Sequence, residues 1–355
     1  MTVAIINDQH FGVRGDALAF HDYFEKFYDD VFFPEIERRG IKTIMQLGDI
    51  FDRRKYINFN TLDRCKKYWW DRIRDDGYTV HNVIGNHDIF YKNSNRVNSP
   101  ELIFAGREGN NWFYTEPTTI DVDGTRICLI PWITSENYEQ TIEHIKHTDA
   151  TIAMGHLELS GFEMVRGARI DHGLSPKVFS KFDLVLSGHY HHRSAKDNVI
   201  YLGAPYEMTW SDYDDPRGFH IFDPKTATLE HVVNPYKMFH KVFYDDRASA
   251  KKHESDPLQD FSPLTNAYVK VIVKGKDNPH TFDMYIDAIN QHQPVSVQVV
   301  EDHHNLDVEN EEDILSEAED TKTMIKKYVD SLGLDDPAPV SKLMEQLYHD
   351  ALSME

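Results

Sequence analysis

The sequence predicts an α/β protein built in layers, and three observations predict it. Short apolar runs of strand length alternate with helical stretches through the first half of the chain. Later runs are shorter and more β-like, with Asp123-Gly124 as a hairpin turn between two of them. Clusters of Asp, Asn and His follow where apolar runs stop, the expected place for a site in a layered α/β fold.

The elements follow in order. Residues 3–6 read as a strand, 17–39 as a helix closed by Gly40, and 44–47 as a second strand. Residues 60–76 are helical up to Gly77, and 78–83 form a third strand. Strands at 118–122 and 126–130 flank the hairpin turn, and a helix occupies 136–147. Apolar runs at 152–155, 184–187, 200–202 and 219–222 supply further strands. These segments group residues 1–235 into one layered domain. From residue 236 the pattern resets, and 267–273, 279–292 and 295–300 predict a small β-α-β accessory domain over 236–300. Residues 301–320 are crowded with carboxylates and read as a solvated linker. In the tail, 321–355, two apolar stripes recur at helical spacing, one through Met324, Tyr328 and Leu332, the other through Val340, Leu343 and Leu347.

The composition narrows the function. At 40% apolar and 27% charged residues, the chain has the balance of a soluble globular protein. No apolar run approaches the roughly 20 residues that cross a bilayer, and the N-terminus lacks the basic region of a secretion signal. Cys65 and Cys128 are the only cysteines, so a reducing cytoplasm is expected rather than a disulfide framework. A formal charge of −21 argues against a generic nucleic-acid binder, whose affinity comes from Lys and Arg. Any phosphate chemistry must therefore be supported locally, by bound cations or by a basic partner.

Five motifs carry chemistry: Asp8-Gln9-His10, Gly48-Asp49-Ile50-Phe51-Asp52, Gly85-Asn86-His87-Asp88, Gly155-His156-Leu157-Glu158 and Gly188-His189-Tyr190-His191. Any one alone reads better as a satisfied loop; the ordered set after apolar runs does not. Carboxylate and imidazole are the donors that hard or borderline divalent metals prefer, and no thiolate lies near. A carboxylate shared between two ions holds them about 3.5–4 Å apart, the spacing used for in-line displacement at phosphorus, and Asp49 is the natural bridge. Asn86 offers a carbonyl oxygen without adding charge.

This set resembles the calcineurin-like metallophosphoesterases, whose motifs run D-x-H, G-D-x-x-D, G-N-H-D/E, G-H and G-H-x-H. The stretches Tyr201–Tyr206 and Asp215–Asp223 make it similar to the SbcD-type DNA repair nucleases, and most to the recombination endonuclease subunits of T-even-like bacteriophages. The resemblance implies a calcineurin-like β-sandwich flanked by helices. It implies one metal on Asp8, His10, Asp49 and His191, and a second on Asp49, Asn86, His156 and His189. Mn²⁺ is the expected ion, with Mg²⁺, Fe²⁺ and Zn²⁺ as alternatives. His87 would be the catalytic histidine assisting departure of the 3′ oxygen, oriented by Asp88. Asp52 stands where some relatives carry a histidine. The implied activity is that of a Mn²⁺-dependent DNA exonuclease and endonuclease in recombination and double-strand-break processing, in the host cytoplasm for a viral protein. A coiled-coil ABC ATPase of the SbcC type would dock on the tail. Competing readings are a cyclic-nucleotide phosphodiesterase and a non-catalytic subunit of the ATPase complex.

Arg53, Arg54, Lys55, Lys92, Arg96 and Arg193 follow the second, third and fifth motifs, and their placement suggests a collar for the DNA backbone. Tyr68-Trp69-Trp70 lies in a helix where three consecutive aromatics are not expected to face one core, and the resemblance implies that helices in this region make a homodimer contact. The histidines at 172, 192, 220, 240, 303 and 304 lie outside the motifs and are not expected to be ligands.

Overall fold

Alternation along each strand decides the layers. In the computed structural model, which describes residues 1–106, 110–247 and 254–301 together with Val340 and Leu343, two six-stranded sheets pack face to face. The first contains β1 (Val3–Ile6), β2 (Thr43–Leu47), β3 (Thr79–Val83) and β4 (Asn110–Tyr114). The second contains β5 (Thr118–Val122), β6 (Thr125–Ile130), β7 (Ile152–His156), β10 (Leu184–Gly188), β11 (Ser194–Lys196) and β12 (Val199–Tyr201). Between β7 and β10, β8 (Glu163–Val165) and β9 (Ala168–Arg169) form a separate ribbon. The chain then returns to complete the first sheet with β13 (Gly218–Asp223) and β14 (Thr228–Val233).

The first sheet runs β14-β13-β1-β2-β3-β4, with β1 to β4 parallel and β13 antiparallel to β1. The second runs β11-β12-β10-β7-β6-β5, parallel from β12 to β6. Val3, Ile5, Met45, Leu47 and Phe222 point inward to meet Ile127, Leu129, Met154 and Leu186 of the second sheet. The intervening Ala4, Ile6, Ile44 and Ile221 face the opposite way and pack under helices. This is the period-2 logic of a strand buried on both faces.

The helices on that outer face carry an aromatic core. The run Leu18–Phe27, Tyr28–Phe32, Phe33–Arg38 is α-helical except for a π-helical middle turn, and Gly40 closes it at φ +68°. The run Phe59–Cys65, Lys66–Trp70, Asp71–Asp75 has the same construction. The two π turns meet, with the rings of Tyr28 and Tyr68 stacked at 5.5 Å. Here the fold corrects the sequence reading: Tyr68, Trp69 and Trp70 are all buried in one cluster. The helix is clasped from several sides, so Tyr68 meets Phe11, Trp69 meets Phe32 and Phe33, and Trp70 stacks on Phe104 at 3.7 Å. Burying each such ring is worth on the order of 2–3 kcal/mol. These residues are core, and they offer no surface for self-association.

Residues 1–301 form one compact unit. Within it β15 (Phe239–Asp245), β16 (Tyr268–Gly275), the helix Pro279–Gln291 and β17 (Ser296–Val300) make a small parallel sheet. Its core gathers Tyr244, Val269, Val271, Phe282 and Tyr285. The sequence reading missed β15 because Phe239-His-Lys-Val-Phe-Tyr-Asp is neither a continuous apolar run nor a clean alternation. A second unit, residues 302–355, holds the expected linker (301–320) beyond its first residue and the tail (321–355); apart from Val340 and Leu343 its residues lie outside the described ones.

On β3, His81 places Nδ1 2.7 Å from the Tyr114 hydroxyl, and burial pushes the ring down from 6.5 to about 4. The unfolded chain takes up a proton near pH 6.5 and the folded protein does not. Stability is therefore complete above pH 6.5 and falls as pH drops towards 4, by up to about 2–3 kcal/mol. Urea melts across this window should show His81→Gln losing less stability than the parent; parallel curves would contradict this assignment.

Candidate metal centre

The site forms at the carboxyl ends of neighbouring parallel strands. Asp8 and His10 follow β1, Asp49 follows β2, and Asn86, His87 and Asp88 follow β3. His156 closes β7, and His189 and His191 follow β10 in the opposite sheet. Backbone bonds tie these loops together, from Asp8 N to Gly48 O (3.0 Å) and from His10 N to Asp49 O (3.1 Å). Two glycines are required by close approach. A Cβ on Gly48, which sits at φ +92°, would lie 2.3 Å from His156 Nδ1, and one on Gly85 would lie 2.2 Å from Asp49 Oδ1. Asp8, His10, Asp49 and His189 adopt left-handed backbone, with φ of +50°, +43°, +57° and +90°. Such strain persists at sites whose surroundings over-determine it.

The donors converge in neighbouring groups. Asp8, His10 and His191 form one, Asp49, His156 and His189 another, and within each group the ligand atoms lie inside 4.8 Å of one another. Asp49 Oδ2 stands between them, 3.7 Å from His10 Nε2 and 3.2 Å from His156 Nε2. Asn86 Oδ1 is 2.9 Å from His156 Nε2, and the Nε2 atoms of His10 and His191 face each other at 3.1 Å. His156 Nδ1 donates to Leu47 O (2.8 Å), so its Nε2 lone pair is turned into the site. His87, half-buried, also lies within 4.8 Å of His10 and Asp49 through its ring nitrogen.

Electrostatics agree with a site that demands positive charge. Burial would raise the Asp49 carboxyl, but the charges of His156 and His87 outweigh it and hold Asp49 well below the usual range. Burial would likewise lower His10 and His156, but Asp52 and Asp49 raise His10 to about 10, and Asp49 raises His156 to about 9. Burial drives the Asp8 carboxyl up. Divalent cations fit this donor set: buried carboxylates, imidazole nitrogens facing one another and an amide oxygen, with no sulfur.

The fold also gives the remaining motif residues their work. Asp88 is fully buried, and its carboxylate accepts the amides of Asp49, Ile50 and Gly85, each at 2.9 Å. It pins the second and third motif loops together. The imidazole of His87 is held instead by the Asp52 carbonyl, 2.5 Å from Nδ1, so the expected pairing of the Asp88 carboxylate with that ring is not the arrangement seen. Asp52 meets both histidines, since its Oδ1 also lies 3.4 Å from His10 Nδ1.

The basic residues differ among themselves. Arg54 donates to Ile89 O (3.1 Å) and feels the charge of Asp49. Arg53 pairs with Asp16 and Arg96 with Glu136, which offsets much of their charge. Lys55 and Lys92 are exposed, and Arg193, also exposed, acts electrostatically on His220 and His231. Of the histidines set aside as non-ligands, His192 Nδ1 meets Asp215 at 2.7 Å, His172 lies 3.2 Å from Glu158, and His220 stacks on His231, while His303 and His304 lie outside the described residues. Trp132, whose ring lies 5.0 Å from that of His189, was missed. It follows the end of β6, so the strand-end rule that found the ligands would have found it too.

The calcineurin-like phosphoesterase family model matches residues 1–193, more than half of the chain and every ligand loop. The chain belongs to the calcineurin-like phosphoesterase family. This calcineurin-like phosphoesterase is 32% identical over 336 residues to exonuclease subunit 1 of Enterobacteria phage T4, covering 94% of this chain and 93% of that protein. Among solved structures, an archaeal phosphodiesterase aligns over 66% of this chain and all of its own at 12% identity and TM-score 0.30. A dimetal phosphatase from Danio rerio aligns over 62% of this chain and 91% of its own at 13% identity and TM-score 0.39. The family and the buried Asp/His groups make this phosphoesterase a hydrolase that works with divalent metal ions. Among the described residues, no helix is long and apolar enough to cross a membrane.

Proposed function

We propose that this chain is a Mn²⁺-dependent DNA nuclease, with exonuclease and endonuclease activity, that works with a coiled-coil ABC ATPase in recombination and double-strand-break processing. The observation that carries the phosphodiester chemistry is the position of Asp49 Oδ2 between His10 Nε2 and His156 Nε2. The similarity to the phage exonuclease subunit along nearly the whole chain supports DNA as the substrate. Asp8, His10, Asp49 and His191 would hold one cation, and Asp49, Asn86, His156 and His189 the other. When bound, such a pair supplies an acidified water and offsets charge at phosphorus.

The chain's own groups do the rest. With Nδ1 donating to the Asp52 carbonyl, His87 keeps Nε2 available towards the departing 3′ oxygen. Asp52 also orients His10, and Asp88 holds both loops in register. Arg54 is the basic residue best placed to meet a phosphate next to Asp49. Residues 1–235 are the catalytic part, 236–300 a DNA-contacting cap, and 301–355 the linker and ATPase-docking tail. A basic partner would also compensate a chain of net charge −21, and the host cytoplasm is the expected compartment.

The test is turnover by the purified chain on linear duplex DNA and on cyclic nucleotides, with and without Mn²⁺. DNA cleavage that appears only with the metal is expected. Faster hydrolysis of cyclic nucleotides than of DNA would favour a small-molecule phosphodiesterase, and metal uptake without hydrolysis of either would favour a structural subunit.

A further inference from the structure

Beside the metal ligands lies a cavity of about 310 Å³ whose walls include Trp132, Thr134, Ser135, Tyr138, Glu158 and Leu174. It adjoins the centre directly, because the Trp132 ring lies 5.0 Å from the ring of His189 and 6.0 Å from that of His156. Glu158 comes two residues after His156.

The loop bearing the tryptophan is built rigidly. Trp132 N donates to Ile84 O at 2.8 Å, and Trp132 O accepts from Asn95 Nδ2 at 2.8 Å and Asn137 Nδ2 at 3.0 Å. Asn137 Oδ1 in turn accepts from Thr134 N at 2.7 Å. An aromatic held on three backbone bonds, half-buried and facing a cavity, is preorganised for a flat partner. Tyr138, 42% exposed at the start of the next helix, supplies a second ring. The Glu158 carboxylate and the hydroxyls of Thr134 and Ser135 add polar groups at the rim.

We propose that this cavity takes one nucleobase of the substrate strand, the base next to the scissile phosphate, stacked on Trp132 and Tyr138. This rests on the nuclease reading and deepens it. The volume falls at the small end of ligand sites, and the two rings on its wall suit one flat heterocycle. A base stacked on these protein rings has left its own stack, so the enzyme acts on single-stranded or frayed DNA ahead of intact duplex. A phosphate held at the centre puts its own base within reach of an aromatic wall this near to His189. Stacking also needs no Lys or Arg, which suits an acidic chain.

The experiment compares cleavage of a single-stranded oligonucleotide with that of the same strand carrying an abasic residue at the scissile position, in Mn²⁺. The parent should cut the intact strand roughly 5- to 150-fold more efficiently, the value of stacking one base on an aromatic side chain. In Trp132→Leu and Tyr138→Ser this ratio should fall towards one, chiefly through KM, and Trp132→Phe should restore most of it. If the parent cuts DNA but the variants keep its intact-to-abasic ratio, the pocket is not a base site, and the nuclease reading stands. If the parent cuts neither strand, the nuclease reading itself fails and takes this proposal with it. Tyr138→Ser, at an exposed position, keeps the test valid should Trp132→Leu disturb folding.

Discussion

Asp49→Asn is expected to lower phosphodiester hydrolysis by about 10³-fold or more, and to lower the metal content per chain. The reason lies in one oxygen. Oδ2 lies 3.2 Å from His156 Nε2 and 3.7 Å from His10 Nε2, so both donor groups converge on it. An amide is almost the same size but carries no charge, and one of its two positions is a donor that repels cations. Asp49 Oδ1 also accepts the His87 amide at 2.8 Å, and an amide oxygen can keep that bond, so the fold should survive. Steady-state rates on linear DNA, read beside elemental analysis of the dialysed protein, decide it. A variant with parental metal content and parental rate would remove Asp49 from the bridging position.

Asp88→Ala should produce the other large effect, and through stability first. The Asp88 carboxylate is the acceptor for the amides of Asp49, Ile50 and Gly85 in a place closed to water. Truncation leaves these three donors without a partner, at about 1–3 kcal/mol each, so a loss of about 3–9 kcal/mol is expected. Whatever folds should also bind metal poorly, because the loops bearing Asp49 and Asn86 are no longer held together. Urea melts give the first quantity and Mn²⁺ titration calorimetry the second. A melt within 1 kcal/mol of the parent would show that these amides find other acceptors, and Asp88 would then be dispensable for the site.

Much of the site was legible because its determinants are local. Each ligand stands just past a strand-length apolar run, and Gly48, Gly85, Gly155 and Gly188 beside the ligands mark where backbones crowd together. The motif order then identified Asp8, His10, Asp49, Asn86, His156, His189 and His191, and the structure brings these donors together. The role of Asp88 was misjudged because adjacency to His87 suggested a side-chain pairing. Its real partners include Asp49 and Ile50, nearly forty residues away, which no local pattern announces. Asp52 was undecided for the same reason, since its contacts with His10 and His87 exist only once two loops have met.

The sequence by itself pointed to most strands of the sandwich, though not to β4, β11 or β14, and to the helices over one face, the candidate metal donors and the family they resemble. It could do so because period-2 alternation, strand-end glycines and donor chemistry are properties of neighbouring residues. The tertiary structure alone decided that Tyr68, Trp69 and Trp70 are all core, because the π turn and the helices clasping it close several sides at once. It alone decided that Phe239–Asp245 joins a parallel sheet, and that Trp132 borders the metal centre. Each of these depends on segments distant in the chain being brought into contact, and burial of apolar surface with satisfaction of backbone amides governs which segments meet.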